Sequence, residues 1–155
     1  KKIKSFKYFV SNNKVKPNNI YSSWSLNTNK NSHKIHKGIL KNVDKYTKTI
    51  SLDSFVKKNK IKNQVILKID VDGFEMNVLK SSIKTLNYMN PIIFMEYAPY
   101  LFYEHGSSIK EFYNFLRKYN YKIYDLNFKK LNKIKIKDGS SIDIILIKKN
   151  KLIKT

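Results

Sequence analysis

Hydrophobic positions from residue 65 onward follow two periods, one typical of β-strands and one typical of α-helices. Residues 65–69 form a short apolar run that predicts a buried strand. Residues 75–86 place apolar side chains at a spacing of about 3.6, which predicts an amphipathic helix. Further along, the same patterns predict a helix over residues 109–119 and strands over residues 92–95, 121–126, 131–136 and 142–147.

Strands that alternate with helices through short connections predict an α/β fold, with parallel strands and helices that flank the sheet. The strand over residues 142–147 follows its predecessor without an intervening helix, so we expect it to pair antiparallel. A short helix is expected to begin near residue 52, with Ser51 or Asp53 as its N-cap.

The first fifty residues are less regular than the rest. Residues 4–10 alternate between polar and apolar side chains, which predicts a half-exposed strand, and residues 20–26 predict a partner strand in a hairpin. Residues 27–37 are rich in Asn, Lys, Ser and His and predict a loop. We therefore expect one domain, in which residues 1–50 form an accessory hairpin and loop region and residues 51–149 form the α/β core.

Acidic side chains follow two strands of this predicted core, in a chain that is otherwise strongly basic. Asp70, Asp72 and Glu75 come directly after the first of these strands, and Glu96 closes the next one. The carboxyl ends of adjacent parallel strands meet at one edge of a sheet, which is where open α/β folds bind ligands. The carboxylates there suit either a general base acting on a hydroxyl or a set of oxygen ligands for Mg²⁺. Structural roles are open too, because acids stabilise the first turn of a helix and Gly73 permits a turn.

Histidines and aromatic residues add further candidates. His33 and His36 lie in the polar loop and are expected at the surface, whereas His105 follows the strand that ends at Glu96 and is a candidate for acid–base work. Four aromatic residues come soon after Glu96, and they are suited either to line an acceptor pocket or to cover the sheet edge as core. These residues are Tyr97, Tyr100, Phe102 and Tyr103.

The formal net charge of +21 invites a nucleic-acid-binding interpretation. Arg117 is the only arginine, however, and sequence-reading proteins depend on arginine for bidentate contacts. Lys, Asn, Ile and Tyr are all abundant together, as a genome rich in A and T would produce, so we expect no specific nucleic-acid partner. The chain has no cysteine, no apolar signal-peptide core and no run of about 18 apolar residues, so the expected location is the cytoplasm and no membrane span is expected.

Several segments of the predicted core resemble the FkbM family of S-adenosylmethionine-dependent methyltransferases. Residues 51–55 read SLDSF, residues 67–75 read LKIDVDGFE and residues 78–80 read VLK, close to the family pattern T-L-D-x-F and then L-K-I-D-V-E-G-x-E-x-x-V-L. The segments 91–97 and 121–126 look like the family's next two strands. The resemblance extends from about residue 50 to residue 149, with Asp72 where Glu is usual.

The resemblance implies the C-terminal portion of a Rossmann-like class I methyltransferase sheet, with parallel strands, flanking helices and an antiparallel last strand. The family's first strand and glycine-rich cofactor loop have no counterpart in this sequence, which does not begin with Met. We therefore expect the acceptor side of the site and only part of the cofactor side.

The resemblance further implies methyl transfer from S-adenosylmethionine to a hydroxyl on a sugar, glycan or other small molecule. Asp70 is then the main catalytic candidate, with Glu96 and His105 beside it. The residues implied in cofactor binding are Asp70, Val71, Asp72, Gly73 and Glu75, and the Mg²⁺ hypothesis rests on Asp70, Asp72 and Glu96. Two alternatives stay open: a truncated or inactive methyltransferase-like domain that acts as a binding module, and a basic nucleic-acid-binding protein.

Overall fold

The computed structural model describes residues 3–12, 17–21 and 40–149. Within these residues the strands are β1 (Tyr8–Val10), β2 (Asn19–Tyr21), β3 (Leu40–Asn42), β4 (Lys48–Ile50), β5 (Ile66–Ile69), β6 (Ile92–Tyr97), β7 (Tyr121–Tyr124), β8 (Lys130–Leu131) and β9 (Ile142–Lys148). The helices are α1 (Leu52–Lys58), α2 (Glu75–Lys80), α3 (Ile83–Tyr88), α4 (Pro99–Glu104) and α5 (Ile109–Lys118).

The main sheet has five strands in the order β5-β6-β9-β7-β8. Only β5 and β6 pair in parallel, and the other three pairings are antiparallel. The α/β class and the antiparallel last strand are confirmed, but the expectation of a mainly parallel, Rossmann-like sheet is not. The reason is the place of β9, which enters between β6 and β7 and separates two strands that run in the same direction. Its residues 144–147 are buried on both faces of the sheet, as a central strand requires.

The first strands pair differently from the predicted hairpin. β1 pairs in parallel with β4, and the Ser11 backbone N–H donates to the Ile50 carbonyl at 3.0 Å, while β2 pairs antiparallel with β3. The prediction that residues 4–10 and 20–26 form a hairpin is therefore wrong for β1. An alternating pattern specifies which face of a strand is buried, but it does not specify the partner strand. Most of the segment 20–26 and all of the predicted loop 27–37 lie outside the described residues.

The core lies between one face of the main sheet and the helices. Alternate residues of β6 face it, because Ile93, Met95 and Tyr97 are buried while the residues between them are partly exposed. The core side chains from the helices are Met76, Val78, Leu79, Leu86, Phe102, Phe112, Phe115 and Leu116. Among the residues that the structure describes, no helix has the length and apolar character needed to cross a membrane.

The helix predicted over residues 75–86 is two helices, α2 and α3, which meet at Ser81 and Ser82. The hydroxyl of Ser81 donates to the carbonyl of Val78 at 2.7 Å, and that of Ser82 donates to the carbonyl of Leu79 at 2.7 Å. Serine hydroxyls compete in this way for carbonyls that would otherwise continue the helix. The apolar period persists across the break, so periodicity alone did not reveal it.

Asp53 joins α1 to α3. The cap of α1 is Ser51, whose hydroxyl accepts from the Ser54 backbone N–H at 3.0 Å. Asp53 instead accepts from the backbone N–H groups of Lys84 at 2.9 Å and Thr85 at 2.7 Å, and from the Thr85 hydroxyl at 2.7 Å. These are N–H groups of the first turn of α3, and the side chain of its own N-cap residue, Ser82, makes no capping hydrogen bond to that turn. Asp53 therefore caps a helix 30 residues further along the chain.

We expect Asp53→Ala to lower the free energy of unfolding by about 1–3 kcal/mol, because it leaves partly buried N–H groups without an acceptor. Urea unfolding followed by circular dichroism measures the change. Asp53→Asn is the matched control, since it keeps one acceptor oxygen and should cost less. Equal unfolding midpoints for the wild type and Asp53→Ala would show that this cap does not stabilise the fold.

Candidate functional site

The carboxyl ends of β5 and β6 meet at one edge of the main sheet. Ile69 lies opposite Met95 in the parallel register, so the next residues, Asp70 and Glu96, are neighbours at that edge. Glu96 also lies opposite Asp143 of β9. The acids that the sequence placed at two separate strand ends are thus brought together.

Asp70 and Asp143 are joined by a lysine. Lys68 Nζ lies 3.2 Å from Asp70 Oδ2 and 3.0 Å from Asp143 Oδ1, and all three side chains are about half exposed. Burial alone would lower the pKa of Lys68, but hydrogen bonds and charge interactions with Asp143 and Asp70 raise it above its ordinary value. The ammonium thus orients the Asp70 carboxylate at the sheet edge, although an exposed ion pair of this kind adds little to stability.

The buried side chain of Glu75 supports the loop between β5 and α2. Its side chain is fully buried, and Oε1 accepts from the backbone N–H groups of Val71 and Gly73, each at 3.2 Å. The loop needs this support because Asp72 and Gly73 both adopt positive φ, of 50° and 96°. The sequence left Glu75 open as a cofactor-binding candidate or as an acid that stabilises the first turn of a helix, and in the structure its side chain accepts hydrogen bonds from the backbone of the loop that precedes α2.

The charge state of Glu75 is affected by the same environment. Burial raises the pKa of its carboxyl above the ordinary value, the backbone N–H groups partly oppose this, and the negative charge of Glu96 raises the pKa further. Its second oxygen, Oε2, has no hydrogen-bond partner within the part of the chain that the structure describes.

Gly73 is the point where the loop touches α4. A Cβ atom at Gly73 would lie 2.6 Å from Cδ2 of His105 and 2.8 Å from Cβ of Leu101. His105 also stacks on the ring of Phe74, with centroids 3.8 Å apart, and Phe9 of β1 meets the same ring edge-on at 5.2 Å. His105 therefore belongs to the strand-tip loop in space, which the sequence suggested only through its place after Glu96.

Tyr100 lies in the first turn of α4. Burial raises the pKa of its hydroxyl above the ordinary value, and the negative charges of Glu96, Asp72, Glu104 and Glu75 raise it further. Sequence reasoning missed α4 altogether. The available signal was Pro99 just after a strand, since proline favours the first turn of a helix.

A cavity of about 230 Å³ lies beside the loop. Its lining is mostly apolar and carries one charged residue, Asp72, and the other lining residues are Tyr8, Phe9, Val10, Ile20, Val71, Phe74 and Val78. The cavity therefore lies between the first two strands, β1 and β2, and the loop that follows β5.

The Mg²⁺ hypothesis gains no support from this geometry. Among the described residues, no three His, Cys, Asp or Glu side chains form a group that could hold a metal ion. Asp70 is instead engaged by Lys68, and Asp72 lies on the apolar cavity. His33 and His36 lie outside the described residues.

Comparison with protein families gives a match to most of the chain. The family model described as "Methyltransferase FkbM domain" matches residues 5–123. The match begins in the segment predicted as an accessory hairpin and ends inside β7, so it starts much earlier than the resemblance noted from about residue 50. Comparisons with curated proteins and with solved structures gave no match.

We expect Gly73→Ala to destabilise the protein by several kcal/mol, because it adds a clash with α4 to the strain of positive φ. Gly139→Ala is the matched control, since Gly139 also has positive φ, of 71°, but an added Cβ there would meet nothing within 4 Å. Gly139→Ala should lower the free energy of unfolding by only about 1–2 kcal/mol. Equal losses in thermal or urea unfolding would contradict the close contact between Gly73 and His105.

We expect wild-type stability to rise relative to Glu75→Gln as the pH falls from 7 toward 5. The folded state holds the Glu75 proton more tightly than the unfolded chain, so folding takes up a proton and acid favours the folded state. Glu75→Gln lacks this titration but keeps an oxygen for the loop. Parallel urea unfolding of both proteins at the two pH values measures the difference, and a constant difference would contradict the raised pKa.

Proposed function

Since the chain belongs to the FkbM methyltransferase domain family, we propose that it transfers a methyl group from S-adenosylmethionine to a hydroxyl of a small-molecule acceptor. The observation that carries the proposal is the family match, which includes the loop after β5 and the end of β6. The acids, tyrosine and histidine of that edge supply the polar groups that such a reaction needs.

The residues at this edge fit the cofactor that the family implies. S-adenosylmethionine carries a positively charged sulfonium and an amino group, and Asp70, Asp72 and Glu96 supply negative charge in a chain that is otherwise basic. The adjoining cavity offers apolar walls from Phe9 and Phe74 with the Asp72 carboxylate on its lining. We infer that Asp72 and these rings hold part of the cofactor. When bound, S-adenosylmethionine supplies an electrophilic methyl group.

The remaining task of the protein is to orient a hydroxyl and remove its proton. We propose that Asp70 takes this proton, because its carboxylate stands at the tip of β5 and is oriented by Lys68. Glu96, half-buried beside it, then accepts a hydrogen bond from the same hydroxyl and orients it. His105 acts as a positioning residue, since its ring is stacked on Phe74 and pressed against Gly73.

Glu75 serves the same site indirectly. Its buried carboxyl fixes the backbone of Val71 and Gly73, and the loop between them carries Asp72. A loop fixed in this way keeps the Asp72 carboxylate in position before any ligand arrives, which reduces the cost of ordering it on binding.

We expect Asp70→Asn to reduce methyl transfer by about 10²- to 10⁴-fold, the usual contribution of a general base, while S-adenosylmethionine still binds. Asp143→Asn is the matched control, because Asp143 pairs with the same lysine from the neighbouring region of the sheet. Calorimetry with the full chain measures cofactor affinity, and release of S-adenosylhomocysteine with a panel of hydroxylated acceptors measures turnover.

Two results would contradict the proposal. Absence of saturable S-adenosylmethionine binding to the folded chain would overturn the methyltransferase function and favour a binding module without activity. Equal turnover of Asp70→Asn and Asp143→Asn would leave the function standing but would remove Asp70 from the role of base.

A further inference from the structure

A second, larger cavity opens at the same edge of the main sheet. β9 runs antiparallel to β6, with Tyr97 opposite Ile142, so the segment 133–139 that precedes β9 lies where β6 ends. The cavity between them has a volume of about 540 Å³. We call it the tyrosine pocket, and its lining residues are Tyr97, Pro99, Tyr100, Tyr103, Ile109, Tyr113 and residues 133–139.

Two of its four tyrosines are fixed in the structure. Tyr97 is 2% exposed and its ring contacts those of Phe102 and Phe112, and the hydroxyl of Tyr113 accepts from the Ile134 backbone N–H at 3.0 Å. These contacts tie the segment 133–139 to α5 and keep the wall of the pocket in place. The ring of Tyr103, by contrast, is 63% exposed and is available to a ligand.

The segment 133–139 gives the pocket a positive rim. Lys133, Lys135 and Lys137 alternate with Ile134 and Ile136, which are buried or half-buried, so the lysines are directed away from the core. None of these three lysines makes a salt bridge to another described residue. Within residues 133–139 the single acid is Asp138, which leaves a local excess of positive charge.

We propose that the tyrosine pocket is the acceptor site and that it binds a hydroxylated ring carrying a carboxylate or a phosphate. The exposed face of Tyr103 stacks on the ring, whether aromatic or sugar, and the lysines attract the anionic group. Tyr97 and Tyr100 line the pocket and come soon after Glu96 at the end of β6, so a ring seated there lies beside the strand end that carries this acid. A cavity of about 540 Å³ has the size of a small-ligand site.

This inference rests on the proposed methyltransferase function for its meaning, but its test does not require turnover. NMR titration of the full chain compares two anionic probes with their neutral counterparts. The pairs are 4-hydroxybenzoate against 4-hydroxybenzyl alcohol, and glucuronate against methyl glucoside, with glucose 6-phosphate as the phosphate probe. At least one anionic probe should bind more tightly than its neutral partner, with shifts at Tyr100, Tyr103 and residues 133–139.

Variants separate the pocket from the general attraction of a basic chain for anions. The double variant Lys133→Gln/Lys135→Gln should reduce the affinity for the anionic probe by about three- to tenfold. Lys60→Gln/Lys62→Gln removes the same charge at the same spacing, before the amino end of β5, and should change affinity far less. Tyr103→Ala should reduce the affinity for the probe by about two- to tenfold. The matched control is Tyr88→Ala, at an 84% exposed tyrosine outside the pocket, and it should leave the affinity unchanged.

The outcomes distinguish the two proposals. The chain could bind an anionic probe, with affinity reduced by the pocket variants, and yet fail to bind S-adenosylmethionine. That result would support the proposed acceptor pocket and overturn the methyltransferase function. Equal weakening by the two double-lysine variants would overturn the pocket, and so would failure of every anionic probe to shift its residues, whatever the cofactor result.

Discussion

The close contact between Gly73 and α4 is the constraint on which the candidate site depends. Leu101 and His105 occupy the space that a side chain at position 73 would need. Only a glycine lets the end of α4 come so near to the loop after β5, and its positive φ turns the chain into α2. The buried Glu75 carboxyl accepts a hydrogen bond from the Gly73 backbone N–H in the same loop. The tip of β5, the start of α2 and the end of α4 therefore form one unit.

Part of this arrangement was predictable because it follows from local periodicity. The strand β5 and the helix α5 were confirmed nearly to their ends. The expected burial of β5 was wrong, because β5 is the end strand of the described sheet and Ile66 is 68% exposed. The break between α2 and α3 was not predicted, since it depends on hydroxyl groups of Ser81 and Ser82 that compete for carbonyls without altering the apolar period. The pairing of β1 with β4 was missed for a related reason, because a strand pattern does not identify its partner.

The candidate site shows the same division. The meeting of Asp70 and Glu96 followed from the order of strands and helices, which determines where carboxyl ends lie. The roles of Asp53 and His105 did not follow, because each acts on a residue about thirty positions away, Asp53 on α3 and His105 on Phe74. Contacts of that range depend on tertiary packing. The acidic cluster stood out in the sequence only because the chain around it carries a net charge of +21.

We propose that the loop after β5 and the end of β6 form the methyl-transfer site. Amide chemical-shift mapping of the full chain during titration with S-adenosylmethionine tests this most directly. We expect a saturable response at the amides of residues 70–75 and, apart from Pro99, of residues 96–100. Shifts confined to the opposite edge of the sheet, near Gln64 and Asn90, or no saturable shifts at all, would contradict it.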